Sequence, residues 1–441
     1  MKKPEKPKDA EEILKKHHSE IFKITKDKQV MEFVIKCNKE YVHWDQLRYK
    51  KIPDDISPEY IWAILKLIRE IQYKLFTFGS WTFHYALLDD FQKKLHILDM
   101  GTAGRIGSSI DSIASGQERY IISSLMEEAI ASSQLEGAAT TRPVAKEMLR
   151  LKKKPINHSE QMIVNGYQTL QKILDIKEKT ITPDVILRLH KSITQDTLKD
   201  KKYEGTFRDN NEVVVGDTLE LEKVYYAPPD YKQIPSLIKE FCAFANNNKH
   251  EFIHPVIKGI ILHFLIGYIH PFEDGNGRTA RALFYWYVLS RGYRLFEFMA
   301  ISRILVRSRV KYGLSYLYTE TDDNDLTYFL GYNLSSIEEA LEDMNKYIIR
   351  KQKEQSEALK LIKSLKNINL RQAEIIKEFL KDPEKMFVIN EIMTTYGVAY
   401  DTARNDLLHL TQLGYLEKIK IQKKFVFKLS KKKIIPKEKS S

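Results

Sequence analysis

The stretch that decides the fold is His-Pro-Phe-Glu-Asp-Gly-Asn-Gly-Arg-Thr-Ala-Arg, at residues 270–281. Residues 255–269 before it are apolar on nearly every side, which is typical of a helix buried in a domain core. Gly275, Asn276 and Gly277 predict a turn that tolerates positive φ. A second helix from about Arg278 to Arg291 would place its free N–H groups beside His270. The stretch is therefore predicted to be a helix, a turn and a helix that together form an anion site.

The two arginines of this stretch, Arg278 and Arg281, lie three residues apart and so share one face of the first helical turn. Positive charge is unfavourable at the positive end of a helix dipole. Singly, a histidine, a glycine turn and an arginine pair are each more often structural than functional. Together and in this order they favour a site for an anion that carries several charges.

The run matches the signature of the Fic family, His-x-Phe-x-(Asp/Glu)-Gly-Asn-Gly-Arg-x-x-Arg, at every defining position. This resemblance implies an AMP transferase that moves AMP from ATP to a hydroxyl side chain (Ser, Thr or Tyr) of a target protein or of itself. It implies that His270 is the general base, that Asp274 is the Mg²⁺ ligand, and that Arg278 and Arg281 hold the departing phosphates. The implied nucleotide-binding residues of the signature are Asp274, Gly275, Asn276, Gly277, Arg278, Thr279, Ala280 and Arg281. Gly277 favours AMP, because relatives that transfer phosphate carry lysine there.

The chemistry of these residue types agrees with those roles. The ordinary pKa of histidine lies near working pH, so the ring can accept a proton from a hydroxyl. Mg²⁺ prefers one or two carboxylates together with phosphate oxygens, so Asp274 alone is sufficient. His254 and His263 precede His270 at seven- to nine-residue spacing, which favours core histidines over a metal cluster.

A second motif lies upstream, where Ser132 to Gly137 follow an amphipathic helical pattern at about 120–137. Gly137 is predicted to cap the helix, which leaves Glu136 at the negative end of its dipole. The Fic resemblance identifies Ser132, Glu136 and Gly137 as an N-terminal inhibitory motif. It implies that Glu136 pairs with Arg281 and competes with the terminal phosphate of ATP, so that the transferase is autoinhibited. The alternative is an exposed glutamate without consequence.

A β-hairpin is predicted in the segment from about 206 to 229, where Val213, Val214, Val215 and Gly216 follow turn-forming residues. The family places a flap here that pairs with the target by its main chain, a mode of recognition with little side-chain selectivity. The resemblance implies that these four residues border the nucleotide and that Tyr312 packs near the adenine. A surface hairpin without a role is the alternative.

The composition limits the remaining classes. The chain has 441 residues, a formal net charge of +12 and two cysteines, Cys37 and Cys242, which offer neither a disulfide framework nor a zinc site. We expect a cytoplasmic protein with no membrane span and no signal peptide. Lysines crowd both ends, and such tails are more often solubilising than nucleic-acid binding.

The predicted fold class is mainly α: a Fic helical-bundle core with a small β-hairpin flap, a helical N-terminal region and a C-terminal winged helix. The predicted order along the chain is a helical region at 1–115, the Fic domain at 116–335, a connector helix at 336–368 opened by a capping box at Ser335, a winged helix at 369–430, and a basic tail at 431–441.

DNA contact through the winged helix is a further expectation that stays open. Arg404 and Asn405 of its predicted recognition helix suit base edges, but Asp401, the predicted N-cap, and Asp406 do not. The alternatives to autoinhibited AMP transfer are a DNA-binding regulator that uses the nucleotide site as a sensor, and a de-AMPylase that runs the reverse reaction. A homo-oligomer is also compatible with the sequence.

Overall fold

The computed structural model describes residues 2–53, 56–103, 117–216, 224–246, 252–365, 367–382, 385–421 and 424–430. Within them the protein is mainly helical, as predicted, with three small antiparallel sheets. The chain divides into two compact units, the first holding 1–103, 168–294 and 304–338, and the second 104–167, 295–303 and 339–441. None of the described helices is long and apolar enough to cross a membrane. The predicted basic tail lies outside the described residues.

The N-terminal region combines helices with a hairpin. Its elements are α1 (Ala10–Ile24), α2 (Lys28–Lys39), α3 (Trp44–Leu47), α4 (Pro58–Glu70), β1 (Tyr73–Phe78), β2 (Trp81–Ala86) and α5 (Asp89–Ala103). The prediction of an entirely helical region is wrong at β1 and β2, which pair antiparallel with Phe78 opposite Trp81. Aromatic and β-branched residues favour strands, and Gly79, at φ +58°, closes the turn between them.

Buried charges attach this region to the rest of the first unit. Lys66 of α4 forms a 2.9 Å ion pair with Asp322, which also accepts a 2.8 Å hydrogen bond from the Tyr328 hydroxyl. Asp325 accepts hydrogen bonds from the hydroxyls of Tyr41 and Tyr73 at 2.5 and 2.9 Å. A buried ion pair is costly to break because the remaining charge loses its partner. The network therefore fixes the N-terminal region against the turn that holds Asp322 and Asp325.

The two helices of the signature stand at the centre of the first unit. These helices are α11 (Pro255–Ile269) and α12 (Asn276–Ser290). The other elements of this part of the unit are α9 (Pro183–Thr194), β3 (Val215–Gly216), β4 (Val224–Tyr226), α10 (Ile234–Asn246) and α14 (Arg309–Thr321). Thirteen of the 15 residues of α11 are buried, which confirms that this helix is apolar on all sides. Gly259 lets α12 approach closely, since a Cβ there would lie 3.0 Å from Val288.

The second unit contains α6 (Gln117–Leu135) and α7 (Arg142–Arg150). Three helices have residues in both units: α8 (His158–Ile176), α13 (Ile301–Arg307) and α15 (Thr327–Ser364). The predicted helix start at Ser335 is wrong, because α15 begins eight residues earlier, at Thr327. The Ser335 hydroxyl does not cap a helix and instead accepts from the Lys94 ammonium at 2.8 Å.

The last elements are α16 (Leu370–Lys381), β5 (Met386–Phe387), α17 (Ile389–Tyr396), α18 (Tyr400–Gln412), β6 (Leu416–Ile421) and β7 (Lys424–Leu429), with strand order β5-β7-β6. The predicted N-cap at Asp401 is wrong: extended Ala399 precedes α18, and Asp401 lies in its first turn. Asp406 is buried and accepts from Gln372 at 2.9 Å and from Arg371. Asp406 therefore joins two helices, and its charge does not belong to the outer face of α18.

Candidate functional site

The histidine of the signature sits in an unusual backbone conformation. His270 directly follows α11 and has φ 48° and ψ 58°, in the left-handed region, while its N–H still donates to the Ile266 carbonyl. This conformation costs a residue with a Cβ about 1–2 kcal/mol. Such outliers occur where a side chain must point in a fixed direction. Here it directs the imidazole from the end of a buried helix.

The tautomer of His270 follows from one hydrogen bond. The ring Nδ1 lies 3.1 Å from the Gly267 carbonyl oxygen, which can only accept, so Nδ1 carries the proton. In the neutral ring the lone pair is then on Nε2. A fixed ring with a basic Nε2 is what a general base requires.

The turn after His270 is closed by the amide of Asn276. Its Nδ2 donates to the Phe272 carbonyl at 2.8 Å, and its Oδ1 accepts from the Phe272 N–H at 3.0 Å. Asn276 and Phe272 are both buried. Gly275, at φ +81°, is the N-cap of α12, and a Cβ there would lie 2.8 Å from the Thr194 methyl. The Asn276 side chain therefore shapes the turn, which leaves backbone N–H groups to act as the predicted cradle.

Asp274 projects from this turn, with its side chain 56% exposed. One carboxylate oxygen accepts from the Gly275 N–H at 2.5 Å, and the other lies 3.4 Å from the Arg278 guanidinium. The described residues contain no group of three or more His, Cys, Asp or Glu side chains that could hold a metal. A single exposed carboxylate beside an anion site fits Mg²⁺ that arrives with phosphate oxygens.

Arg278 and Arg281 are both only 4% exposed, in the first turns of α12. Arg278 donates to the Ile193 carbonyl at 3.3 Å. Burial and the positive charge of Arg281 lower the pKa of His263 to about 3, so His263 is neutral at this end of α11. Thr279 and Ala280 are fully buried, backbone included, and their predicted role at the nucleotide stays a prediction.

Tyr312 of α14 is half-buried, and its hydroxyl lies 2.8 Å from His263 Nε2. The positive charge of Arg281 also lowers the pKa of His263. The predicted role of Tyr312 is to pack near the adenine. That role stays a prediction.

Sequence reasoning missed His190, in α9. Its Nε2 donates to the Asp274 carbonyl at 2.9 Å and its Nδ1 accepts from the Gly205 N–H at 3.1 Å, so the ring is neutral. Burial lowers the pKa of His190 to about 4, which agrees with this assignment. The ring stacks on Phe272 at 3.7 Å between centroids. His190 therefore supports the turn from outside the motif, and no local pattern around it would have shown this.

Arg208 was also missed, although the Thr-Phe-Arg segment before the flap contains it. Its side chain is 2% exposed, and Nε donates to the His270 carbonyl at 2.9 Å. Its guanidinium also donates to the carbonyls of Asn210 and Pro229 on the two sides of the flap. Arg208 thus connects both ends of the flap to the backbone of His270.

The flap itself is short. Val215 pairs with Tyr226 and Gly216 with Val224, while residues 217–223 at its tip are not described. Val214 is 47% exposed, and Val213 and Val215 are half-buried. The Tyr226 hydroxyl donates to the Tyr268 carbonyl at 3.0 Å, which fixes the second strand near the end of α11. The predicted pairing of this flap with a target stays a prediction.

The predicted inhibitory motif ends α6 as expected. Gly137 has φ +94°, and the N–H groups of Glu136 and Ala138 both donate to the Ser133 carbonyl. Within the second unit, Glu128 of α6 accepts from the Ser302 N–H at 2.8 Å, and the Ser124 hydroxyl donates to the Phe298 carbonyl at 2.8 Å. These bonds fix α6 to residues 295–303. Glu136 and Ser132 belong to this unit and Arg281 to the first, so the Glu136–Arg281 pair stays a prediction.

Comparisons with known proteins agree with the geometry. A family model described as the Fic/DOC family matches residues 180–288. Curated relatives described as protein adenylyltransferase Fic, from Drosophila virilis and Drosophila melanogaster, are 28% identical over 158 residues, which are 35% of this chain. The match spans 30% of the length of these relatives.

Solved structures are similar at lower identity. A crystal structure of a Fic family protein from Desulfovibrio desulfuricans is 16% identical with a TM-score of 0.49, and the match covers 77% of this chain and 97% of that one. Fic-1 from C. elegans is 17% identical with a TM-score of 0.47, over 74% of this chain and 85% of that one.

Proposed function

We propose that this chain, whose residues 180–288 match the Fic/DOC family model, transfers AMP from ATP to a hydroxyl side chain of a protein. The observation that carries the proposal is the Nδ1–H bond from His270 to the Gly267 carbonyl, which leaves the lone pair on Nε2. The curated relatives described as adenylyltransferases support the same reaction.

In the proposed reaction, His270 Nε2 takes the proton of the target hydroxyl. The hydroxyl oxygen forms a bond to the α-phosphorus of ATP, and the bond from that phosphorus to the bridging oxygen breaks, releasing pyrophosphate. Backbone N–H groups at the start of α12, together with Arg278 and Arg281, stabilise the negative charge on the departing phosphates. Asp274 would hold Mg²⁺, which neutralises phosphate charge when bound. The strand edge of the flap would hold the target segment by main-chain pairing.

Autoinhibition is the regulatory part of this proposal. Glu136 would form an ion pair with Arg281, so that the arginine is not available to the terminal phosphate of ATP. A carboxylate at a helix C-terminus is unfavourable by about 0.3–1 kcal/mol and gains most from an arginine partner. The unmodified protein would then be mostly inactive.

The test is incorporation of label from ATP by the purified full chain with Mg²⁺ and a cell lysate. AMP transfer predicts that α-labelled ATP labels protein and that γ-labelled ATP does not. We expect His270→Ala to lower the labelling rate about 10²–10⁴-fold, the usual contribution of a general base. His96→Ala, a matched change at an exposed position on α5, should leave the rate unchanged. Label from the γ position only would contradict the proposal.

The second candidate function is that of a DNA-binding regulator, and the burial of Asp406 favours it. Because Asp406 is buried, the exposed face of α18 presents Arg404 and Asn405 without that charge. Lys418 and Lys420 are exposed on the adjacent β6 and could meet phosphates. Salt-dependent retention of a DNA duplex, lost on Arg404→Ala, would support this candidate, and no retention at low salt would exclude it.

A further inference from the structure

The second unit contains a cavity of about 210 Å³ that the proposed reaction does not use. Its walls come from α6, α7, α15, α16, β5 and α17, with Lys385 before β5, all inside that unit. The cations that line it are Lys146, Arg150, Lys351, Lys377, Lys381 and Lys385. The carboxylates that line it are Glu374 and Glu378, so six positive charges minus two negative ones leave +4.

Most of these cations are partly shielded from solvent. Lys381 is exposed, but the other five are half-buried. Like charges repel more strongly as solvent is removed, so their convergence is unfavourable in the absence of an anion. A ligand that carries negative charge would relieve this repulsion.

Ion pairs hold several of these cations at the wall. Lys146 lies 2.9 Å from Glu127, and Arg150 lies 2.9 Å from Glu391. Glu378 lies 3.2 Å from Lys385. Burial acts to raise the pKa of Glu378, but Lys385 and Lys381 outweigh it and hold the pKa below its ordinary value.

The net charge around the cavity stays positive when the carboxylate partners of these cations are included. Glu127 and Glu391 do not line the cavity, and counting them gives six positive and four negative charges. The pairs therefore position the cations without neutralising the cavity.

The uncharged lining adds a hydroxyl and aromatic rings. Thr394 is 7% exposed, and its hydroxyl makes no hydrogen bond within the described part of the chain. A buried hydroxyl without a partner is unfavourable. Phe387, Tyr347 and Tyr396 supply apolar and ring surface. Phosphate oxygens accept from lysine, arginine and hydroxyl donors alike, and a ring or chain attached to the phosphate could contact the aromatic side chains.

We propose that this cavity binds a small phosphorylated ligand, with Lys377, Lys385 and Arg150 at its phosphate and the Thr394 hydroxyl as an additional donor. The cavity is also lined by Ile122 and Met126 of α6, the helix that ends at Glu136. Insofar as Glu136 is inhibitory, which rests on the proposed function, the ligand would act on transfer through α6. Binding itself does not depend on that function.

Binding is tested by calorimetric titration of the full chain with inorganic tripolyphosphate. Arg281→Ala serves as the background, because it weakens phosphate binding at the signature. We expect one remaining site, and we expect Lys377→Gln/Lys385→Gln to weaken it about tenfold or more, as the loss of charge-assisted bonds implies. Lys418→Gln/Lys420→Gln removes the same charge from exposed positions of the same unit outside the cavity and should change the affinity less than about twofold. Lys377→Arg/Lys385→Arg should retain binding.

Three results would overturn the proposal. One is the absence of binding in the Arg281→Ala background, and another is equal affinity of the cavity and control variants. The third is that Lys377 and Lys385 are needed for binding of a DNA duplex while tripolyphosphate does not bind. The surface would then be a nucleic-acid site and not a site for a small phosphorylated ligand. Because no transfer step is measured, a negative result with α-labelled ATP would leave this test intact.

Discussion

Asn276→Ala offers a direct test of how the signature turn is built. The Asn276 amide makes two hydrogen bonds to the buried backbone of Phe272, at 2.8 and 3.0 Å. Each bond contributes about 1 kcal/mol net, and each buried group left without a partner costs about 1–3 kcal/mol. Some relaxation is expected, so the first unit should lose ~2–5 kcal/mol of unfolding free energy.

The assay is urea unfolding followed by tryptophan fluorescence. All four tryptophans, Trp44, Trp62, Trp81 and Trp286, belong to the first unit, so the signal reports on that unit alone. A shift of the urea midpoint with an unchanged slope gives the change in free energy.

Asn333→Ala is the matched control. Asn333 is equally buried, at 3%, but its amide makes a single 2.9 Å bond to the Phe329 carbonyl, which lies inside α15. That carbonyl is also an acceptor in the helix, so we expect a loss of only ~1 kcal/mol. A loss for Asn276→Ala that is below about 0.5 kcal/mol, or no larger than that of the control, would refute the account of the turn.

Three further perturbations test other parts of the first unit. Gly275→Ala should lower the unfolding free energy of the unit by ~1–3 kcal/mol and weaken ATP binding in calorimetry. Gly292→Ala is the control, because Gly292 has a similar φ but no atom lies within 4 Å of the new Cβ. It should cost only about 1 kcal/mol and leave ATP binding intact. Lys66→Met should cost ~3–5 kcal/mol in urea unfolding because it leaves the buried Asp322 carboxylate without its cation, and a cost under 1 kcal/mol would contradict this. Burial raises the pKa of Glu320 to about 8, so the folded protein holds a proton that the unfolded chain releases near pH 4.5, and the stability contributed by Glu320 should fall as pH rises through this window. Glu320→Gln should flatten that dependence, and an identical pH profile would count against the shift.

The signature could be recognised from the sequence because its functional residues are contiguous. The apolar run before His270, the glycine turn and the two arginines are contiguous, and the helices α11 and α12 have nearly the predicted bounds. The mainly helical fold followed from the same resemblance. Gly137 was placed correctly because a left-handed glycine ends a helix by local geometry.

The errors and omissions have tertiary causes. His190 and Arg208 reach the signature from 62 or more residues away, through bonds that no local pattern reveals. Ser335 fits a helix cap locally, but α15 already begins at Thr327 and the Ser335 hydroxyl accepts from Lys94 of α5 instead. Strands β1 and β2 form inside the region predicted to be helical, because a glycine turn lets the two segments pair.

We propose an AMP transferase in which Glu136 inhibits the reaction and His270 is the general base. The most direct measurement is the rate of labelling from α-labelled ATP by the wild-type chain, Glu136→Gly, Glu136→Gln and Glu136→Gly/His270→Ala. Loss of a charge-assisted contact to arginine predicts that both Glu136 variants label about tenfold or more faster than the wild type. Loss of the base predicts that the double variant labels about 10²–10⁴-fold more slowly than Glu136→Gly. Equal labelling by the wild type and the Glu136 variants would contradict inhibition by Glu136, and equal labelling by Glu136→Gly and the double variant would contradict the role of His270.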